Sequence, residues 1–317
     1  MGQGFTPETN VDKLLRLYAD GKRDFQNINL KQADLIAVNL SEVNLRGANL
    51  QLSFLEEVDL RGANLEGANL KKANLSEANL EGANLRKANL QGAKLIGTEV
   101  RTANLQGVNL RQADLGDVRN LSMADLLAAD MQGANLETTN LEKVNLQGVN
   151  LRKANLKTAR LFEADLSSAE LKDAVFQSAF YNEKTRFPED FDPVSAGMYL
   201  IAPKVSLQGA NLVEALLFEV DLSEADLTGV DLTEAHLEKA NLQGATLKGA
   251  SFNSAELLQT NLSGADLTGA DLSFARLKEA IIFDTKFQDA CYNRLTKFPQ
   301  GFDPQRAGMR WIDIDID

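Results

Sequence analysis

The sequence predicts a repeat solenoid, and three observations predict it. A leucine recurs every five residues in Leu50, Leu55, Leu60, Leu65, Leu70, Leu75, Leu80, Leu85 and Leu90. Alanine stands two positions before most of these leucines, and Asn or Asp usually lies between the two. The spacing of five is neither the helical period of about 3.6 nor the strand period of about 2, so an amphipathic helix and a half-buried strand both fit poorly. A short fixed period held this long marks a repeat solenoid.

The stretch from Ala48 to Leu90, ANLQL SFLEE VDLRG ANLEG ANLKK ANLSE ANLEG ANLRK ANL, resembles the pentapeptide-repeat family with its consensus A(D/N)Lxx. The resemblance covers most of the chain. It implies an all-β solenoid, a right-handed quadrilateral β-helix in which each pentapeptide makes one side of a square and four make a coil. The leucine and the small residue two positions before it point inward, and the other three positions point largely outward. Side-chain size agrees, because a narrow tube has room for one large and one small side chain per side. Gly, Asn and Asp recur beside the core positions, where tight bends tolerate them best.

Residues 1–23 are read as a polar tail and a capping helix. Val11, Leu14, Leu15 and Tyr18 share one helical face, with Asn10 as N-cap and Gly21 past the C-terminus. Such a helix can cover the open first coil or dock a partner. The first solenoid spans 24–181. Its frame starts at Phe25 or Leu30, holds to Leu115, slips once to Leu121, and runs on through Leu126 and Met131 to Tyr181. One extra residue predicts a local bulge that keeps the coils stacked. Val38, Val43, Val58, Val108, Val144, Val149, Thr98 and Thr139 replace the inward alanine.

Residues 182–206 break the repeat as a lid or linker. The segment from Tyr181, YNEKTRFPEDFDPVSAGMYLI, matches YNRLTKFPQGFDPQRAGMRWI from Tyr292. Two repeat blocks closed by the same segment point to duplication or fusion. Asp192 and Pro193 suit the start of a helical turn and Gly197 its end. Phe187 and Phe191 can cover the last coil, as can Phe298 and Phe302. The second solenoid spans 207–292 without a slip. Residues 293–317 form the C-terminal lid and tail, where Ile312, Ile314 and Ile316 alternate with aspartates as in a strand. The lid segment, and the opening helix followed by Lys22, Arg23, Asp24 and Phe25, resemble cyanobacterial members of the family.

Composition narrows the function. The 317 residues carry a net charge of −12, which disfavours direct nucleic-acid binding through phosphates. There is one cysteine, Cys291, so no internal disulfide can form. No apolar run is long enough to cross a membrane, and no secretory leader is evident. A soluble, cytoplasmic protein without membrane contact is expected.

Little points to catalysis. His236 is the only histidine and fills the slot usually held by Asp or Asn, as does Cys291, so both read as variants of the repeat. Asp221, Asp226, Asp231, Asp266 and Asp271 also come from the repeat. No zinc set, nucleophile triad or phosphate loop is present, so no catalytic, cofactor or metal residue is assigned.

Charge is uneven. Residues 24–181 hold 20 acidic and 17 basic residues, whereas residues 207–292 hold 14 and 5. Arg152, Lys153, Lys157 and Arg160 form a local basic group in the first block. The leading expectation is a non-enzymatic interaction or scaffold protein with an unidentified protein partner and an open oligomeric state. The alternative is an acidic DNA mimic that binds a type II topoisomerase such as gyrase. The family resemblance implies it for some members, and the acidic second block fits it.

Overall fold

The computed structural model describes residues 9–313. They fall into two compact units that divide between Met198 and Tyr199. In each unit the residue before a core leucine forms a parallel bridge with the residue one coil further on. Asp24, Asn44, Asn64 and Asn84 make one such ladder, each step twenty residues long. A coil is therefore twenty residues, or four pentapeptides. Four ladders run in parallel in the first unit, opening at Asp24, Asn29, Asp34 and Asn39. Four more in the second unit open at Ser206, Asn211, Leu216 and Asp221. Each side takes the name of its opening residue. A side comprises the ladder residue and the two residues after the core leucine.

The backbone accounts for its own polar groups without long strands. Leu65 N donates to Asn84 O in the next coil at 2.7 Å, and Asn64 N to Val43 O in the previous one at 2.8 Å. Between sides the chain turns sharply. Ala63 N donates to Leu60 O at 3.0 Å, and Gly62 between them has φ +64°. Positive φ at the third residue of a turn is type II geometry, which favours glycine. Many corners nonetheless hold Glu or Lys, as at Lys72 (φ 56°) and Glu77 (φ 58°). The stacked coils on both sides impose the conformation there, at a cost of order 1 kcal/mol each.

The core is the row of leucines and small residues. Leu65, Ala68, Leu70 and Ala73 are wholly buried. Val43, Val58, Val108, Val144 and Val149 take the alanine place fully buried, while Val38 in the first coil is only half-buried. Thr98, Thr139 and Thr260 carry a hydroxyl into the tube, and each donates it to a carbonyl of the coil below: Leu75 O at 2.8 Å, Leu115 O at 3.0 Å and Leu237 O at 2.7 Å. A buried hydroxyl is tolerated because it is paired.

Helix α1 covers Asn10–Ala19. Its N-cap is Thr9 and not Asn10. The Thr9 hydroxyl accepts from Asp12 N at 3.1 Å and the Asp12 carboxylate accepts from Thr9 N at 3.1 Å, a reciprocal box that Asn10 cannot form. Leu14 is wholly buried in the same apolar cluster as the first coils. Tyr18 donates its hydroxyl to Ser41 O at 3.0 Å.

The slip in the frame is a bulge at Asn120, which sits left-handed at φ 56° ahead of a 3-10 turn, Leu121–Met123. Arg119 still bridges Glu99 twenty residues back, whereas Asp125 bridges Asn104 twenty-one residues back. The extra residue is absorbed in one corner; among the described residues Arg119 and Asp125 make no bridge to the coil above, and all four ladders run again from Asn140 and Asn145 onward.

Four named strands are two residues each: β1 (Phe180–Tyr181), β2 (Tyr199–Leu200), β3 (Cys291–Tyr292) and β4 (Arg310–Trp311). The end of the first unit is an aromatic cluster. Phe191 meets Phe176 at 5.1 Å, Phe187 meets Tyr181 at 5.6 Å, and the two phenylalanines stack at 5.0 Å. The second unit repeats it with Phe302 on Phe287 at 5.1 Å and Phe298 on Tyr292 at 5.7 Å. The segment after Asp192 is a run of turns and not a helix. Asp192 does cap it, accepting from Val194 N at 3.0 Å and from the Ser195 hydroxyl at 2.5 Å. Gly197 ends it at φ +76°, where a Cβ would lie 2.6 Å from the Gln177 amide oxygen. In the tail, β4 pairs parallel with β3, and Ile312 N donates to Tyr292 O at 2.8 Å. The rest of the alternating Ile/Asp strand expected there lies outside the described residues.

Candidate functional site

The outward residues form ladders, and the chemistry of a side is set by what recurs every twenty residues. The ladder position is occupied mainly by Asn and Asp for two reasons. Its side-chain oxygen accepts from the backbone N two residues on, as Asn44 does from Arg46 at 3.2 Å, which caps the corner. An asparagine also donates to the coil below. Asn64 reaches Asn44 at 3.2 Å, and Asn84 reaches Asn64 at 3.3 Å. Aspartate keeps the cap and loses the donor.

The aspartates at this slot are thus structural. The carboxyls of Asp59, Asp165, Asp226 and Asp266 lie below the usual range. In Asp226 the cause is hydrogen bonds from Gln208 and from the Thr228 hydroxyl and amide. In Asp266 burial opposes ionisation, but the Thr268 hydroxyl and amide, with Lys248 and Lys286 nearby, outweigh it. Arg61 lowers Asp59 by a direct hydrogen bond.

Charge is sorted by side. In residues 24–181 the Asn29 side carries seven basic residues (Lys31, Lys71, Lys72, Arg111, Arg152, Lys153, Lys172) against three acidic ones. The neighbouring Asp34 side carries seven acidic residues (Asp34, Glu56, Glu57, Glu77, Asp114, Asp117, Glu137) against two basic ones. The other two sides mix signs and pair them along the axis. Arg46 and Arg86 flank Glu66 at 3.6 and 3.8 Å, and Arg101 meets Glu81 at 3.9 Å. In residues 207–292 the Asn211 side holds Glu214, Asp231, Glu234 and Asp271, and the Asp221 side holds Asp221, Glu224 and Asp284, both without a basic residue. The Leu216 side is mixed, with pairs Lys239–Glu219 at 3.1 Å and Arg276–Glu256 at 3.2 Å.

The basic group read from the sequence does not hold together. Arg152 and Lys153 lie on the Asn29 side, Lys157 on the Asp34 side and Arg160 on the Asn39 side. Nine residues of chain pass two corners, so neighbours in sequence are not neighbours on a surface. Arg160 is buried, bonded to Glu142 at 2.9 Å and lying 4.7 Å over the Phe162 ring. The twenty-residue sorting was missed at the sequence level. The signal that finds it is to read every fourth repeat together.

His236 is exposed on the Leu216 side with Nδ1 3.3 Å from a Glu238 oxygen. It opens onto a shallow groove of 580 Å3 with Glu234, Ser254, Glu256, Phe274, Arg276, Leu295 and Lys297. Of the carboxylates that line it, Glu256 is paired with Arg276 at 3.2 Å. Cys291 is half-buried at the start of β3, its sulfur 3.3 Å from the Arg310 guanidinium. Among the described residues no group of three His, Cys, Asp or Glu could hold a metal ion, and no helix is long and apolar enough to cross a membrane.

Comparisons with known proteins bear on the ladder pattern. A family model described as pentapeptide repeats (8 copies) matches in overlapping segments over residues 24–51, 55–119, 120–177 and 204–291. No curated protein matches the chain significantly. Among solved structures, HetL, a pentapeptide repeat protein involved in heterocyst differentiation regulation from the cyanobacterium Nostoc sp. strain PCC 7120, is 27% identical. It aligns over 89% of this chain and 96% of its own, with a TM-score of 0.21. QnrB1, a plasmid-mediated fluoroquinolone resistance protein, is 17% identical over 56% of this chain and 91% of its own, with a TM-score of 0.42. Rfr23 from the cyanobacterium Cyanothece 51142 is 23% identical over 56% of this chain and 99% of its own, with a TM-score of 0.15. With the twenty-residue coils and the leucine core already in place, the chain belongs to the pentapeptide-repeat family, whose members fold as right-handed quadrilateral β-helices.

Proposed function

We infer that this is a non-enzymatic interaction or scaffold protein that presents the flat sides of its two solenoid units to protein partners. The observation that carries the reading is the sorting of charge by side. Solubility alone needs only mixed charges, and the Asp24 and Asn39 sides meet that need with paired Arg and Glu. The Asn29, Asp34, Asn211 and Asp221 sides depart from it and carry mainly one sign. Single-sign surfaces select partners and speed their encounter. On the same reading α1 closes the first coil, the protein works in the cytoplasm, and no cofactor is needed.

The test is affinity capture with the full chain as bait, beside full-chain variants with one side reversed in charge. A partner lost with one reversal and kept with the others establishes the reading and names the side. Capture indifferent to every reversal, or turnover of a substrate by the purified protein, would sink it.

The second reading, an acidic mimic of DNA directed at a type II topoisomerase, is favoured by the Asn211 and Asp221 sides, which hold seven acidic residues and no basic one in residues 207–292. Gyrase supercoiling assays in the presence of micromolar protein decide it. Unaltered supercoiling removes this reading and leaves the first.

A further inference from the structure

A side of one charge is costly in a β-helix. Ladder neighbours on successive coils lie about 4.8 Å apart, and like charges so close repel. The Asp24 and Asn39 sides alternate sign and avoid this. In the first five coils the Asn29 and Asp34 sides do not. The Asn29 side there carries Lys31, Lys71, Lys72 and Arg111 and no acidic residue. The Asp34 side carries Asp34, Glu56, Glu57, Glu77, Asp114 and Asp117 against Lys94 alone.

The row after the leucine on the Asn29 side reads Lys31, Gln51, Lys71, Gln91, Arg111. Cations there stand on alternate coils, about 9.6 Å apart, with neutral glutamines between. The spacing relieves repulsion, and only Arg111 of the row finds a counter-charge, Asp130 of the next coil at 3.8 Å. Among the described residues Lys31, Lys71, Lys72, Asp34, Glu57 and Asp117 make no ion pair, although pairs are frequent on the two other sides. The same coils hold exposed apolar side chains: Ile36, Phe54 and Ile96 on the Asp34 side, and Leu52 at the corner where the two sides meet.

We propose that these two sides are the halves of one interface and that the occupant is a second copy of this chain, the basic Asn29 side of one copy docking on the acidic Asp34 side of the next. The proposal rests on the interaction reading above and deepens it by naming the occupant. The two sides are neighbours on a square, so each contact turns the next copy by about a right angle. With coils parallel and in register, four copies close a ring. Lys31 then faces Asp34 of the next copy, Arg111 faces Asp114, and Leu52 faces Phe54 near the axis. A two-fold pair would set like sides together, positive on positive. Nucleic acid is disfavoured, because a polyanion on the Asn29 side would run beside the acidic Asp34 side. Five coils span only about 20 Å, so one contact is small beside the standard ~1,600 Å2 interface. Each copy makes two contacts, and the assembly dissociates as salt rises.

The experiment is sedimentation of the full chain at about 0.01 M salt, where charges act over ~30 Å, and at about 1 M, where they act over ~3 Å. A four-chain particle is expected in the first condition and single chains in the second. One variant changes Lys31, Lys71, Lys72 and Arg111 to Glu. The other changes Asp34, Glu56, Glu57 and Asp117 to Lys. Lysine already occupies equivalent slots at Lys94, Lys157, Lys72 and Lys87, and glutamate at Glu56, Glu66 and Glu77, so both variants keep backbone conformations the coil accepts, and thermal melts verify folding. Each variant alone stays a single chain at low salt. An equal mixture regains the four-chain particle, because the first variant now has two acidic sides and the second two basic ones, and they alternate around the ring. Single chains of the parent at low salt, a two-chain particle, assembly that survives either reversal, or folded variants whose mixture does not assemble would each overturn the proposal. None of these results touches the broader interaction reading, which stands or falls on capture of other proteins.

Discussion

Leu70 shows what one residue contributes. It is wholly buried in a tube one leucine wide, so Leu70→Ala leaves a cavity that neighbours cannot fill from a second layer. The expected loss is roughly 2–5 kcal/mol, read as a lower thermal midpoint, and an unchanged melt contradicts the interior assignment. The ladder carboxylates give a second residue-scale prediction. Asp59, Asp165 and Asp266 are all held below the usual carboxyl value of 3.8. A carboxyl with a lower folded than unfolded value stabilises above the unfolded value and loses that contribution as pH falls through the folded one. The melting midpoint should therefore be level through neutral pH and decline below about pH 4. A midpoint that rises on acidification contradicts the sign. This slot was legible in the sequence as a repeat feature. Its two tasks, capping the corner and laddering between coils, were not, because both depend on which residue lies twenty positions away.

The element that tests the coil best is the corner at Asn120. The five-residue frame made the slip visible, and the structure absorbs it in one left-handed residue and a 3-10 turn. Deleting Asn120 restores twenty-residue spacing and should leave the stability within about 1 kcal/mol of the parent, its hydrogen bond to Glu99 at 2.6 Å being surface-exposed. Deleting Asn69 instead shifts every later leucine by one place and should cost far more, because no local turn is there to absorb it. Equal losses would show that the frame does not govern packing. Helix α1 is the other informative element. Its apolar face was legible from Val11, Leu14, Leu15 and Tyr18. Its cap was misplaced by one residue because Thr9 and Asp12 act as a pair. Removing residues 1–20 takes Leu14 out of the apolar cluster it shares with the first coils, and light scattering at about 1 M salt, where the parent is a single chain, should then report association. A truncated chain that stays dispersed and melts as the parent contradicts the closing role of α1.

For the whole molecule, the repeat made the core readable, since leucine and alanine face inward whatever the coil number. The surface was harder. Arg152, Lys153, Lys157 and Arg160 look like one cluster along the chain and occupy three different sides in space. Conversely Lys31, Lys71 and Arg111 are distant in sequence and share one row. The charged sides exist only if a coil is twenty residues long, and the most direct measurement is the distance between spin labels along one side. With Cys291→Ser as background, labels at Lys31→Cys and Arg111→Cys lie four coils apart on the Asn29 side. At about 1 M salt, where the copies are separate, double electron–electron resonance should give a single distribution near ~20 Å at the backbone. A distribution well beyond that, or one that matches a pair placed on different sides, would contradict the coil and with it the charged sides on which the function is argued.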